Sequence, residues 1–297
     1  MKRKGDVYVK CPYCGQPFKL RGRGTDHAFA RWFREHAELM KKIVEDLEPV
    51  TPELEQKLLE LHIPLVKQVR NTFVAVWDKE NEKKRFIQAF RDLSDEILEL
   101  QDYIPIDEIP GENKWASTAR NKGLTHWYML FNPRQLLAIA KLSKLVAKIS
   151  ERLASRDGEF GAAVATYLAF AIDKLLNLNT IACKWQGTEF KTGISGTISG
   201  ESTIDFRLDY VEMVLTLPER SLEWALEPHV VESGKLTKTT GGLLPILKFL
   251  CDEFRRVHLG DRIAIYLSDA TRLSEMLGIG TVDVINVDPP YFEQVIY

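Results

Sequence analysis

The sequence predicts a helix-rich protein of the mixed α/β class, and three features of its 297 residues carry this prediction. Segments rich in Leu, Glu, Lys and Ala, with apolar residues at helical spacing, occupy most of the chain. Two aliphatic runs near the C-terminus, 263–267 and 282–287, are typical of parallel strands that are buried on both faces. A short β-hairpin signal surrounds the sequence CPYCG at residues 11–15.

The N-terminal part of the chain predicts this hairpin, over residues 6–20, followed by three helices at 27–48, 52–72 and 80–102. In the third helix, apolar residues recur at steps of three and four and predict a buried face formed by Phe86, Phe90, Leu93, Ile97 and Leu100. The loop at 103–113 contains two prolines and a glycine, so it is a plausible boundary between modules.

The C-terminal part predicts further helices at 133–156, 160–178 and 241–258. Asn132 suits the N-cap of the first of these, and Pro133 suits its first position. The Gly/Ser/Thr-rich stretch 187–203 lacks the Lys-Ser/Thr pair of a phosphate-binding loop, so we interpret it as a flexible loop or a hairpin turn. A short helix at 270–277 separates the two aliphatic runs.

The composition excludes several classes of protein. Hydrophobic residues make up 45% and charged residues 28% of the chain, which permits a sizeable core. The basic N-terminus lacks the apolar stretch of a secretory signal, and four cysteines then favour a reducing compartment. The most apolar segment, 160–176, is shorter than the ~20 residues of a membrane span and contains Asp173 and Lys174. We expect a cytoplasmic protein without a membrane segment, in which 160–176 is a buried core helix.

Positive charge is concentrated at the start of the chain. Residues 1–34 contain nine Lys and Arg and two Asp, a net charge of +7 within a chain whose total is −2. Clustered positive charge is the electrostatic footprint of contact with a phosphate backbone. We therefore expect DNA binding, and a solvated basic terminus is the alternative interpretation.

The tetrapeptide Asp288-Pro289-Pro290-Tyr291 directly follows the second aliphatic run. In open α/β sheets, ligands bind at the carboxyl ends of strands. The Asp288 carboxylate is a hydrogen-bond acceptor, and the second proline holds Pro289 extended, which fixes the Pro289 carbonyl as another acceptor. Tyr291 offers an aromatic face on which a base can stack. These groups suit the exocyclic amine of a base that has been flipped out of a duplex.

The sequence DPPY after VDVINV resembles the catalytic motif of amino-group DNA methyltransferases, and its Asp resembles the adenine-specific form. The chain more specifically resembles the large adenine-specific DNA methylases that carry a zinc-ribbon insert. The similar stretches, in that family's order, are CPYCG, IPIDEIPGEN, GLTHWYMLFNPRQLLA, AVATYLAFAIDKLLNLNTIACKW, LDYVEM and DPPYFEQVIY. The resemblance implies that Asp288, Pro289, Pro290 and Tyr291 are catalytic, that S-adenosylmethionine is the methyl donor, and that the C-terminal sheet is part of a Rossmann-like methyltransferase sheet.

The resemblance also implies two binding sites. Cys11 and Cys14 would supply two of the four ligands of a zinc ion in a zinc-knuckle-like hairpin. In that family the second cysteine pair lies upstream of this one, whereas here Cys183 and Cys251 remain, and both are interpreted as buried structural residues. Asp269 either contacts the adenine of S-adenosylmethionine or caps the helix that follows it.

Three segments follow from these observations: a zinc-knuckle-like hairpin at 1–25, a helical insert at 26–112 and part of a methyltransferase catalytic domain at 113–297. Enzymes of this type hold the donor at a glycine-rich turn after the first strand, and no such turn follows a strand in this sequence. We therefore expect a portion or subunit of an enzyme, with another polypeptide supplying the glycine-rich strand. The alternative is a non-catalytic DNA-binding or scaffolding module derived from the same family.

Overall fold

The structure of the protein is a computed structural model. It describes residues 7–10, 17–21, 28–62, 64–69, 72–76, 79–111, 114–188, 191–197, 204, 206, 210–213, 215, 225–227, 229–233, 236–240, 242–257, 270–272, 275, 283, 284 and 286. The chain divides into two compact units, Met1–Ala225 and Leu226–Tyr297, and each is described by itself.

The first unit combines helices with two-stranded antiparallel sheets. Its elements are β1 (Val7–Lys10), β2 (Pro17–Arg21), α1 (Ala28–Val44), α2 (Pro52–His62), β3 (Val66–Val69), β4 (Thr72–Ala75), α3 (Glu80–Leu100), α4 (Lys114–Arg120), α5 (Pro133–Asn177), β5 (Lys184–Thr188) and β6 (Lys191–Ser195). Strands pair only with their sequence neighbours in these sheets. The helix-rich composition with small sheets agrees with the predicted mixed class at this coarse level.

The core of the first unit is built on the apolar faces of its helices. The five residues predicted to form the buried face of α3 are at most 6% exposed, which confirms the periodicity argument. They pack in one cluster with Phe33 and Met40 of α1, Leu58 of α2, and Tyr128 and Leu136 near the start of α5. Burying this much apolar surface is the main stabilising contribution to the unit.

Helix α2 is shorter than predicted. It ends at His62, and residues 66–69 and 72 of the predicted 52–72 helix lie instead in strands β3 and β4. Pro64 explains the difference, because a proline disfavours helical geometry in the residue before it. The valines that follow favour extended backbone over helix.

The segment labelled α5 consists of two helices that form a helical hairpin. Its N-cap Asn132 and the first-turn Gln135 form a reciprocal capping box, and Pro133 occupies the first turn, as predicted. Gly158 adopts a non-helical conformation (φ 56°, ψ −130°) that only glycine adopts readily, and it divides α5 into two parts. The amide of Ile181 donates to the carbonyl of Leu130 (2.8 Å), so the far end of the second part returns to the start of the first. The first part is about 37 Å long and the second is about 28 Å long.

The tip of this hairpin projects from the core, which corrects the interpretation of 160–176 as a buried helix. Phe160 is 73% exposed and Phe170 is 50% exposed, whereas Ile172 and Leu175, nearer the base, are buried. The segment is apolar partly through alanine, and small side chains permit two helices to pack closely without a surrounding core.

We expect Gly161→Ala to destabilise the helical hairpin. A Cβ at Gly161 would lie 2.0 Å from the carbonyl oxygen of Leu153 and 2.4 Å from its carbon, and both are backbone atoms that cannot move alone. Overpacking of this kind costs about 1–3 kcal/mol in the free energy of unfolding, measured by urea titration. Ala162→Ser, one residue further and exposed, is the matched control and should change it by less than about 0.5 kcal/mol.

The second unit contains β7 (His229–Ser233), β8 (Leu236–Thr240) and α6 (Leu243–Val257), with a 3-10 turn at Ala270–Arg272. Strands β7 and β8 form an antiparallel pair. Helix α6 confirms the helix predicted at 241–258. Cys251, however, is exposed and not buried as expected. Its apolar neighbours Phe249 and Phe254 are exposed as well, because an apolar sequence does not specify which face of a helix is covered.

The predicted C-terminal strands lie largely beyond the described residues. Nothing in 263–267 is described, and within 282–287 only Asp283, Val284 and Asn286 are. Asp283 lies in a bend and Val284 is 82% exposed, so the burial predicted for this run is wrong at Val284. A strand is buried when neighbouring strands pair with it and helices cover it, and none of the described strands pairs with this segment.

The segment boundaries predicted at residues 25 and 112 stay predictions, as does the zinc-knuckle character of the N-terminal hairpin.

The interpretation of 187–203 as a loop or hairpin turn agrees with the β5–β6 hairpin, which covers the first part of that stretch. Among the helices that the structure describes, none has both the length and the apolar content needed to cross a bilayer.

Candidate functional site

The site residues predicted from the sequence lie outside the described part of the chain. They are Cys11, Cys14, Asp269, Asp288, Pro289, Pro290 and Tyr291. Their roles as zinc ligands, donor contact and catalytic residues therefore stay predictions. Within the described residues, no group of three or more His, Cys, Asp or Glu side chains is arranged to hold a metal ion.

The structure instead joins three of the stretches on which the family resemblance rests. These are LFNPRQ before and within α5, NTIACKW after it, and LDYVEM at residues 208–213. A network of buried and partly buried polar side chains connects them, and we call it the polar network. Its members are His36, His62, Asn132, Arg134, Gln135, Asn179, Tyr210 and Glu212.

One branch of the polar network is a chain of four hydrogen bonds through two imidazoles. Nε2 of His36 lies 2.8 Å from the carbonyl oxygen of Met129, and Nδ1 of His36 lies 2.9 Å from Nε2 of His62. Nδ1 of His62 lies 2.9 Å from the hydroxyl of Tyr210, which is also 2.9 Å from Nδ2 of Asn132. Both imidazoles are buried.

When the imidazoles are neutral, the donor and acceptor of every hydrogen bond in this branch follow from the groups at its two ends, the Met129 carbonyl and the Asn132 amide. The carbonyl of Met129 can only accept, so a neutral His36 donates from Nε2 and accepts at Nδ1 from Nε2 of His62. Nδ1 of His62 then accepts the proton of Tyr210, whose oxygen accepts from the amide of Asn132. Both imidazoles therefore carry their proton on Nε2.

Burial enforces this neutral state. It lowers the pKa of His36 to about 4, although the hydrogen bond to Met129 opposes the change. Burial also lowers the pKa of His62 well below its ordinary value, and the neighbouring His36 lowers it further. The pKa of Tyr210 is raised, first by burial and then by the carboxylate of Glu212, so its hydroxyl keeps the proton that it donates.

The other branch of the network is an ion pair at the start of α5. Arg134 donates from Nε to one oxygen of Glu212 (2.6 Å) and from its terminal nitrogen to the other (2.9 Å), a bidentate geometry. Asn132 adds a donor 3.1 Å from the same carboxylate. The Arg134 guanidinium lies 4.7 Å from the ring centre of Phe86, so a cation–π contact ties the pair to α3.

Besides the Tyr210 and Glu212 side chains, the backbone of the third stretch contacts the second stretch. The amide of Val211 donates to the carbonyl of Cys183 (3.0 Å), and the amide of Met213 donates to the side-chain oxygen of Asn179 (3.3 Å). Gln135 reaches the same oxygen at 3.5 Å. Cys183 is buried, as predicted for a structural cysteine.

This arrangement positions backbone and does not expose a reactive group. The imidazoles are neutral and enclosed, and their nitrogens are all used within the network. The polar network holds residues 210–213 against α1, α2 and the start of α5. Comparison with family models, with curated proteins and with solved structures finds no match to this chain.

We expect Tyr210→Phe to destabilise the first unit by about 1–3 kcal/mol, because it leaves Nδ1 of His62 buried without a donor. Urea titration followed by circular dichroism measures the change. Tyr167→Phe is the control, since Tyr167 is a half-buried residue of the projecting hairpin, and it should change the free energy of unfolding by less than about 0.5 kcal/mol. Equal effects of the two substitutions would contradict the role given to Tyr210.

Proposed function

We propose that this chain forms part of a site-specific DNA adenine methyltransferase, which transfers a methyl group from S-adenosylmethionine to the exocyclic amine of a flipped adenine. The observation that carries the proposal is Asp288-Pro289-Pro290-Tyr291 after an aliphatic run, at the end of an ordered series of stretches similar to that family. The comparisons neither add to this proposal nor oppose it.

The polar network supports the proposal indirectly. Asn132 and Arg134 come from one of the similar stretches, and Tyr210 and Glu212 come from another. Their direct contacts at 2.6–3.1 Å indicate that these stretches form one structural unit. Short similarities that are scattered along a chain by chance have no reason to meet in one hydrogen-bonded network.

The proposed chemistry assigns three tasks to the motif. Asp288 and the Pro289 carbonyl accept the two amino hydrogens of adenine, which localises the nitrogen lone pair and makes the nitrogen a nucleophile. Pro290 keeps the Pro289 carbonyl in place, and Tyr291 stacks on the flipped base. S-adenosylmethionine supplies the activated methyl group when bound, and Asp269 is the proposed contact to its adenine. The motif must hold the amine within roughly 3–3.5 Å of the carbon that it attacks.

A methyl-transfer assay tests the proposal. Unmethylated duplex DNA and S-[methyl-³H]adenosylmethionine are incubated with the chain alone, and with the chain plus a polypeptide of the resembled family that carries the glycine-rich first strand. We expect label on the adenine amine in the mixture and none with the chain alone. A mixture that binds DNA and donor but transfers no methyl group would instead favour the non-catalytic DNA-binding or scaffolding module.

A zinc site is the second part of the proposal. Strand β1 ends at Lys10 and β2 begins at Pro17, and the two residues pair, so CPYCG falls between the strands of an antiparallel hairpin. Cysteines in such a connection supply half of a tetrahedral zinc site. The zinc content of the purified chain, compared with that of the double variant Cys11→Ser/Cys14→Ser, tests it, and equal contents would exclude these ligands.

DNA binding should depend on the basic segment 1–34. Neutralising Lys2, Arg3, Lys4, Arg21 and Arg23 together should reduce the salt dependence of DNA affinity, by up to about 0.9 in the log–log slope for each phosphate that the variant no longer neutralises. The control replaces five exposed residues elsewhere: Lys79, Lys84, Lys148, Arg152 and Lys248. Fluorescence anisotropy at several salt concentrations measures the slope. An unchanged slope in the first variant would mean that the N-terminal charge is only a solvated surface.

A further inference from the structure

A small groove lies where helices α1 and α3 end. It has a volume of about 120 Å³, and its apolar lining consists of Val44, Leu47, Ile97, Leu98, Ile104 and Ile106. Leu98 is 64% exposed, Ile106 is 60% exposed and Leu47 is 49% exposed. Large apolar side chains are ordinarily exposed singly, whereas three line this one groove.

The backbone at Leu47 is strained. Leu47 has φ of 52°, the one positive value for a residue other than glycine among the described residues. It follows the end of α1, where the amide of Glu48 donates back to the carbonyl of Lys42 (2.8 Å), a capping turn in which glycine or asparagine ordinarily occupies this position. Since Leu47 is half exposed, its burial does not offset the strain, and strain retained without such compensation is a feature of functional surfaces.

The surroundings of the groove are negative. The two segments that border it, 45–48 and 98–108, contain seven Asp and Glu and no Lys or Arg. Four cations from outside these segments form ion pairs with five of the carboxylates, so negative charge remains in excess; they are Lys41, Lys42, Arg120 and Lys144. The groove also lies at the C-terminal ends of both helices, where the helix dipoles add negative potential.

We propose that this groove binds a basic amphipathic protein segment, which inserts an apolar side chain while its Lys or Arg residues face the acidic border. The volume is below the ~300–1,000 Å³ of typical small-molecule pockets, so a single side chain fits it better than a cofactor. Phosphate backbone is repelled by the same charges that attract a basic segment. The groove is thus a surface for a protein partner and is separate from the proposed contact with DNA.

The full chain can be tested with a fluorescent 18-residue helical peptide of Leu and Lys. We expect Leu98→Ser and Ile106→Ser each to weaken binding at least tenfold in anisotropy titrations. Leu145→Ser is the matched control, because Leu145 is 54% exposed on the projecting hairpin, and it should leave the affinity unchanged. The same peptide with Glu in place of Lys should not bind. Equal affinities of all three variants, or binding of the Glu peptide, would overturn the proposal.

Leu47→Gly separates binding from stability. Glycine relieves the left-handed strain, so the melting temperature should stay the same or rise, while the affinity for the Leu/Lys peptide should fall at least fivefold. A lower melting temperature with unchanged affinity would show that Leu47 serves the fold, and it would overturn the role given to it. Sedimentation of the unmodified chain completes the test, since a dimer abolished by Leu98→Ser would identify a second copy as the occupant and overturn the proposed partner.

Discussion

Replacing Asp288 by alanine should abolish methyl transfer to adenine in the proposed methyltransferase assembly, and it should leave binding of the proposed donor, S-adenosylmethionine, nearly unchanged. The carboxylate is one of the two proposed acceptors for the amino hydrogens, so its loss removes the polarisation of the nucleophile. The donor is expected to be held mainly by the glycine-rich strand of the other polypeptide. Transfer of tritiated methyl groups and calorimetric titration with the donor measure the two effects separately.

Asp283→Ala is the matched control for this substitution. Asp283 is an exposed aspartate in a bend five positions before Asp288, so its loss changes the charge of the same segment and leaves the four residues of the motif unchanged. We expect full activity from the control. Tyr291→Ala should retain donor binding and lose stacking on the flipped base, worth about 1–3 kcal/mol. Full activity of the Asp288→Ala variant would show that the assignment of roles is wrong.

Acid should destabilise the first unit, because burial lowers the pKa values of its two buried imidazoles. The pKa of His36 is about 4 in the folded protein because the imidazole is buried, whereas an unfolded chain has the ordinary value. Between these two values the unfolded state binds more protons, so the free energy of unfolding falls as the pH falls. Relative to pH 7, His36 alone lowers the free energy of unfolding by about 3 kcal/mol at pH 4, and His62 acts in the same direction.

Nuclear magnetic resonance of the imidazole nitrogens tests both the titration and the assigned protons. We expect Nε2 to be protonated and Nδ1 unprotonated in both His36 and His62 at pH 7, with a pKa of about 4 for His36 and a pKa well below the ordinary value for His62. Urea titrations at pH 7 and pH 5 then measure the loss of stability. Titration of either ring near its ordinary pKa, or a proton on Nδ1 at pH 7, would contradict the proposed chain of hydrogen bonds.

Local signals in the sequence predicted the elements whose geometry depends on neighbouring residues. The apolar periodicity of α3 predicted its buried face, and Asn132-Pro133 predicted the start of α5, because both effects act within one or two helical turns. Pro64 was a comparable signal for the end of α2. The apolar composition of 160–176 did not reveal that the segment projects from the core, because composition does not specify which surface covers a helix.

The polar network could not be predicted from the sequence. His36 is 26 residues from His62, and His62 is 148 residues from Tyr210, so no local pattern brings them together. In the sequence, His36 is a single polar residue on an otherwise apolar helical face. Its role becomes visible only when α2 and residues 210–213 are in place around it.

Each hydrogen bond between the side chains of the histidine branch has a fixed donor and a fixed acceptor, and this restricts how the segments of the first unit can pack. Each proton position depends on the next partner, so a sliding of α1 by one turn, about 5.4 Å, would leave imidazole nitrogens enclosed without partners. Apolar contacts alone tolerate such slippage, since one aliphatic side chain can replace another. The two histidines therefore fix the register in which three segments remote in sequence pack together. Any other register leaves buried polar groups without hydrogen-bond partners and is disfavoured.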